Sequence, residues 1–239
     1  MALEEFNWIL TAIRKKLMYI AIVIGIGTFG TFPFMGRLLN RIQADLLPEG
    51  VTTVIIQPVE AILLELKMSL IVGVLLSLPL IAYYAYGGLK KRSKTVNMLE
   101  IKRSFAVLVA VSSLILFFLG VSYSYFIMLP ILLSFLNTIA VGVGAASTWS
   151  LGLWVHFALM MTIVFGLAFQ LPIVLPLLVR SGVVSYQNLR DHRKHGVVIV
   201  FIAAAIITPP DVISQLMIGL PMLLFYEIGL IITRITIKS

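Results

Sequence analysis

No cysteine occurs anywhere in the chain, which excludes disulfides and thiolate metal sites and leaves the redox compartment open. Charge is scarce too: 12% of the 239 residues carry it, about half of the roughly 25% usual in soluble domains. Acids are the rarer sign, ten against eighteen Lys and Arg. From Ser104 to Val179 there is no Asp, Glu, Lys or Arg at all, a run of 76 residues. As a single helix it would measure roughly 114 Å against a hydrocarbon core of about 30 Å, so it must fold back in or near a bilayer. Also missing are HExxH, GxSxG, a phosphate-cradling glycine loop and any His cluster with ligand spacing. No carboxylates pair on facing helices, and no two similar halves carry interrupted helices. These absences point away from an enzyme, a metal centre or a cofactor. The acidic start Met1–Asn7 lacks a small-residue cleavage site after an early apolar core, so no removable signal peptide is expected.

What is present is apolar: 60% of residues are hydrophobic and the mean hydropathy is +1.08. The pattern predicts an all-α, polytopic membrane protein forming one integral-membrane domain over residues 1–239. Ala2–Leu17 reads as an amphipathic surface helix, with Phe6, Leu10, Ile13 and Leu17 at helical spacing. Six spans follow, about 17–36, 62–89, 104–128, 151–179, 196–208 and 212–233. Residues 37–57 read as a polar connection. Pro58 then opens a helix with Glu60 in its first turn, where the dipole favours a carboxylate. Pro79 predicts a kink, residues 130–150 a loop with a short interfacial helix, and Pro172 a bend. Span five is only roughly 20 Å long, shorter than the hydrocarbon core. A rigid turn at Pro209 and Pro210 leads into span six, with Asp211, Ser214 and Gln215 where a helix start leaves unpaired N–H donors.

The basic residues set the orientation. Fifteen of eighteen fall in the N-terminal segment, the 90–103 loop, the 180–195 loop and the C-terminal end. With six spans these four regions share one side, and the positive-inside rule places both termini in the cytoplasm. Basic loops of this kind need no nucleic acid to explain them. Few polar groups remain inside the membrane: His156, Gln170 and Glu227. His156, beside Trp154 near an outer end, reads as an interfacial packing residue. Gln170 reads as a helix–helix hydrogen bond worth roughly 1 kcal/mol. Glu227 points to a pathway or partner site, because a carboxylate in hydrocarbon is costly.

An ordered series of motifs adds a resemblance. Thr208-Pro209-Pro210-Asp211-Val212-Ile213-Ser214-Gln215, followed by Leu220-Pro221 and Tyr226-Glu227-Ile228-Gly229, resembles the TatC subunit of the twin-arginine (Sec-independent) protein translocase. Gln57-Pro58-Val59-Glu60 with Lys67 and Ser69, Leu78-Pro79, Tyr125-Phe126 with Pro130, and Phe165 to Pro172 fall in register. The likeness covers nearly the whole chain. It implies a core receptor that binds twin-arginine signal peptides of folded cargo and recruits single-span TatA/TatB-type subunits. Export would be driven by the proton-motive force, with the protein oligomeric in its complex. The location implied is the cytoplasmic (inner) membrane of a prokaryote.

The chain departs from the family at three places. The usual N-terminal His-Leu-x-Glu-Leu-Arg reads Ile9-Leu10-Thr11-Ala12-Ile13-Arg14, so only Arg14 remains. Lys102, before Arg103, stands where the family's loop glutamate is expected, and Glu100 is the nearby substitute. Gln170 stands where a glutamate is usual; it hydrogen-bonds but carries no charge. This is a divergent member. By the resemblance, Glu100 receives the signal arginines, helped by Glu4, Glu5, Arg14 and Arg103, since guanidinium pairs bidentately with carboxylate. Gln170, Glu227 and Tyr125 would meet a partner's span, and Pro58, Glu60, Pro209, Pro210, Asp211 and Gln215 form an outer rim. For Glu60 and Asp211 helix capping is at least part of the role. Two alternatives stand beside this reading: a six-helix secondary transporter of a small solute or ion, and a translocase paralogue that no longer reads twin arginines.

Overall fold

The computed structural model describes residues 2–96, 103–145, 147–180, 182, 184–207 and 211–238. Side chains are described for these apart from residues 2–15, 78–79, 81–96, 103–106 and 237–238. The chain is overwhelmingly helical. Four helical stretches among the described residues are long and apolar enough to cross a membrane: Lys16–Leu46, Val107–Gly142, Leu151–Ala168 and Val212–Thr236. The chain divides into two compact units, one of Met1–Asp45 with Gln57–Ala106 and one of Leu46–Ile56 with Val107–Ser239.

In the first unit, α1 (Ala2–Leu46) and α2 (Glu60–Val96) pack antiparallel. The register is set by glycines. A Cβ on Gly27 would lie 2.9 Å from the Gly73 Cα, and one on Gly73 would lie 2.6 Å from the Ile24 carbonyl oxygen. Two backbones in contact leave no room for a side chain, the usual basis of close helix packing in lipid. On the next residue, the Thr28 hydroxyl donates to its own helix at the Ile24 carbonyl, 2.7 Å away. Met35 and Leu39 on α1, and Leu64, Met68 and Ser69 on α2, are buried along the same helices.

The sequence predicts a break between a surface helix and span one at Leu17, and a polar connection from Arg37. Instead α1 is continuous from Ala2 to Leu46. Leu38, Leu39, Arg41, Gln43 and Ala44 are good helix formers that outweigh Asn40 and Asp45, and Arg41 donates to Asp45 at 3.2 Å, an i,i+4 pair that supports the last turns. The helix that carries the second predicted span extends past it at both ends, from Glu60 to Val96.

In the second unit, α3 (Arg103–Tyr123) runs through a π-helical turn, Ser124–Met128, into α4 (Leu129–Gly142). The loop predicted after Pro130 is therefore mostly helix. Pro130 sits in the first turn of α4, directly after the turn in which Leu129 N–H bonds the Ser124 carbonyl five residues back. Gly144, at φ +75°, ends α4: its N–H bonds the Val141 carbonyl and Ala145 N–H bonds the Ala140 carbonyl.

A short parallel ladder follows that the sequence does not predict. β1 (Thr52–Val54) pairs with β2 (Thr148–Ser150), Thr53 opposite Trp149. Ser150 then caps α5 (Leu151–Ala168), its hydroxyl accepting from Leu153 N–H. The predicted bend in span four falls at Phe169–Gln170, between α5 and α6 (Leu171–Arg180), because Pro172 cannot continue the ladder. A six-residue helix, α7 (Tyr186–Asp191), leads to α8 (Arg193–Ile207) and α9 (Val212–Lys238). Phe165, Met161, Leu129, Leu132, Leu133 and Ile218 form the buried centre of this unit.

Candidate functional site

Two polar clusters organise the second unit. The first is at the break in span four. The Ser113 hydroxyl on α3 donates to Gln170 Oε1, and Gln170 Nε2 donates back to the Ser113 carbonyl at 3.1 Å and to the Gly166 carbonyl at 3.4 Å. The amide both accepts and donates, which a carboxylate could not do while ionised. The helices come close enough for this because Gly120 faces the Phe165 carbonyl, 2.5 Å from where a Cβ would sit. Tyr123 packs edge-on to Phe165 at 5.3 Å, and Phe169 lies between Tyr123 and Phe225. An aromatic chain thus links α3, the break and α9.

The second cluster joins α8 to α9. Arg193 Nε donates to Glu227 Oε1 at 3.1 Å and Arg193 Nη2 donates to Glu227 Oε2, a two-point guanidinium–carboxylate contact. Both side chains are partly exposed, 50% and 37%. One position earlier on α9, Tyr226 lies over Gly196, where a Cβ would meet its ring at 2.8 Å, and its hydroxyl reaches the Leu189 carbonyl at 3.5 Å. The sequence reads Glu227 as an isolated intramembrane carboxylate; the structure gives it an intrachain cation. Hairpin counting could have found the pair, since Arg193 lies 14 residues before the end of α8 and Glu227 lies 15 after the start of α9.

At the opposite end of that hairpin, Asp211 Oδ2 accepts from Ser214 N–H at 2.7 Å, an N-cap for α9. Gln215 Nε2 donates to the Phe201 carbonyl at 3.0 Å and ties the two helices together. Glu60 performs the equivalent task at α2: its Oε2 accepts from Gln57 N–H at 3.3 Å while its own N–H donates to the Gln57 carbonyl at 2.9 Å. Pro58 lies in the turn just before α2. Tyr125 stands in the π-helical turn, its ring edge-on to Phe126.

The remaining predicted residues lie elsewhere. Glu4, Glu5 and Arg14 stand on the first turns of α1 and Arg103 opens α3, but their side chains fall outside the described residues. Glu100, Pro209 and Pro210 also fall outside them. Ser113 was not singled out by sequence. A serine in an uncharged run gives no signal until its helix is paired with the one that carries Gln170. Glu65, also unmarked, is a half-buried carboxylate whose Oε1 would be 2.9 Å from a Cβ on Gly36.

The comparisons with known proteins decide the family. The model of the Sec-independent protein translocase protein (TatC) matches residues 8–221. The chain belongs to the TatC family. A TatC from Aquifex aeolicus is 32% identical over 238 residues, covering 96% of this chain and 95% of that one. TatCt from Haloferax volcanii is 33% identical over 244 residues and 99% of this chain, which spans only 34% of that longer protein. The chain spans 62% of a TatC from Halothiobacillus neapolitanus at 29% identity. The crystal structure of the twin-arginine translocase receptor TatC superposes with a TM-score of 0.81 at 30% identity, covering 95% of this chain and 99% of that one. TatC proteins are membrane components of protein translocation, so the departures noted in the sequence are variations within a shared fold.

Proposed function

We propose that this chain is the receptor subunit of a twin-arginine translocase, binding signal peptides of folded cargo and gathering single-span TatA/TatB-type partners for transport driven by the proton-motive force. The observation that carries the reading is the match to the solved receptor over nearly the full length of both chains. On this reading the chain is one integral-membrane domain with six spans, both termini cytoplasmic, in the inner membrane of a prokaryote. The positive-inside distribution of Lys and Arg supports that orientation.

Glu100 is the proposed partner of the signal arginines, with Glu4, Glu5, Arg14 and Arg103 around it. The support is chemical: a guanidinium needs a carboxylate, and Glu100, Glu4 and Glu5 are, with Asp191, the acids the sequence leaves on the basic side. Glu227, Gln170 and Tyr125 are proposed to shape the surface offered to a partner's span, the first two through the helices they fasten. The test is photocrosslinking from positions 100 and 4 to a twin-arginine signal peptide, with a twin-lysine control. Crosslinks lost with twin lysine support a working receptor. A folded protein that gives none, beside a positive conventional homologue, sinks the assignment of Glu100. Solute flux from the purified protein in liposomes would favour the transporter reading instead.

A further inference from the structure

A groove of about 650 Å³ opens on the second unit among α4, β2, the start of α5 and the end of α8. That volume lies within the range of small-molecule sites. Its lining changes character along α5. Thr148 and Ser150 stand at one end, Trp154 and His156 one to two turns along, and Met160 deeper, with Leu133 behind. The polar side chains of the lining therefore lie towards the outer end, among apolar Trp149, Leu153, Ile206 and Ile207, and none lies beyond His156 towards the middle of the span.

Two observations point to a ligand. Trp154 is 5% exposed and its Nε1 is buried with no hydrogen-bond acceptor among the described residues. A buried N–H without a partner costs about 1–3 kcal/mol, so it calls for an acceptor. His156, on the same groove, is exposed on a membrane-crossing helix, where an imidazole facing hydrocarbon is also costly. The groove also ends against Ile206 and Ile207, the close of α8. With 15 residues α8 is roughly 22 Å long, shorter than the hydrocarbon core, and a bilayer that thins to match it would bring headgroups down to this level.

We infer that the groove binds one glycerophospholipid of the outer leaflet, the leaflet following from the orientation proposed above. An ester carbonyl or phosphate oxygen accepts from His156 and, as the lipid parts the groove wall and uncovers it, from the otherwise buried Trp154 Nε1, and an acyl chain descends past Met160. The polarity gradient of the groove is that of the lipid. A partner helix, by contrast, would have to supply an acceptor from a side chain, because its own carbonyls are used in its ladder.

The test uses the full chain in vesicles of phosphatidylethanolamine and phosphatidylglycerol, unlabelled or brominated at mid-chain. Trp8 and Trp149 are replaced by phenylalanine so that Trp154 alone fluoresces. Brominated chains should quench Trp154 at least twofold despite its burial. Native mass spectrometry of the parent protein released from the same vesicles should show one retained phospholipid. Its occupancy should fall several-fold in Trp154→Phe, which keeps the ring and removes the N–H, and in His156→Leu. The exposed His156 keeps the test open if Trp154→Phe fails to fold. An unquenched Trp154, or a retained lipid indifferent to both substitutions, overturns the inference. So does a shielded Trp154 that crosslinks to a co-reconstituted single-span protein, which would assign the groove to a helix.

Discussion

Gln170 and Ser113 hold each other twice: the Ser113 hydroxyl donates to the Gln170 amide oxygen, and the amide donates back to the Ser113 carbonyl. The bridge spans α3 and the break between α5 and α6. Interhelical hydrogen bonds in membranes are worth about 0.6–2 kcal/mol. Gln170→Leu should lower stability by about 1 kcal/mol, and Ser113→Ala by somewhat less because one bond of the pair survives. Unfolding titrations in mixed micelles would measure both, and a neutral Gln170→Leu would remove the bridge from the account of the fold.

Glycine substitutions should divide sharply by position. A Cβ at Gly120 would lie 2.5 Å from the Phe165 carbonyl oxygen, and one at Gly73 would lie 2.6 Å from both the Ile24 carbonyl oxygen and Thr28 Oγ1. Gly120→Ala and Gly73→Ala should each cost about 1–3 kcal/mol by forcing backbones apart. Gly25 and Gly30 have open space on the same helix that carries Gly27. Gly25→Ala should be neutral or stabilising by up to about 1 kcal/mol, since alanine favours the helix. Thermal transitions of the three variants in detergent would decide the matter.

The Arg193–Glu227 contact should be real but modest. Its side chains are 50% and 37% exposed, so the pair is screened and its coupling should stay below about 1 kcal/mol. A double-mutant cycle with Arg193→Gln and Glu227→Gln would read it. The coupling should shrink as salt is raised through the range where the Debye length falls from about 10 Å to 3 Å. A coupling above 2 kcal/mol would mean that the pair is more deeply desolvated than its exposure indicates.

Asp211 gives a prediction about one helix end. Its carboxylate accepts from Ser214 N–H at 2.7 Å. Asp211→Ala should cost about 1 kcal/mol and speed amide exchange over the first turn of α9, whereas Asp211→Asn should keep most of the cap. Equal effects of the two changes would show that charge, rather than hydrogen bonding, matters there.

Much of this was legible in the chain. A run without charge, helical periodicity and basic loops suffice for a multi-pass helical protein, and the Pro-Pro-Asp turn placed the start of α9 within a residue. Caps at Glu60 and Asp211 were legible because a cap is a local affair, settled by residues three apart. The partner of Gln170 was not, because Ser113 lies 57 residues away, and that of Glu227, 34 residues away, comes out only when the α8–α9 hairpin is counted from its turn. Single-sequence patterns carry period, not pairing. The ladder between β1 and β2 escaped for the same reason: two strands of three residues have too little alternation to register, and their pairing joins Thr52 to Thr148. The extent of α1 is hidden for a different reason. Polarity after Arg37 reads as a loop, yet a helix that leaves the membrane remains a helix as long as its residues favour one.

The π-helical turn at Ser124–Met128 sets the phase of everything beyond it. Up to its first residue, Phe117, Gly120 and Ser124 are buried in steps of three and four. From its last residue on, Met128, Leu129, Leu132 and Leu133 are buried, a face that continues because the turn takes up one extra residue. One residue in an α-helix corresponds to about 100° of rotation. Deleting one of the five would remove that extra residue and let a plain helix carry Leu132 and Leu133 on the same buried face, whereas one more insertion would swing them away from it. Insertions in this family are therefore expected to be tolerated in the connection after Gly144 and refused within these five positions, where loss of a single residue is the length change that keeps the phase.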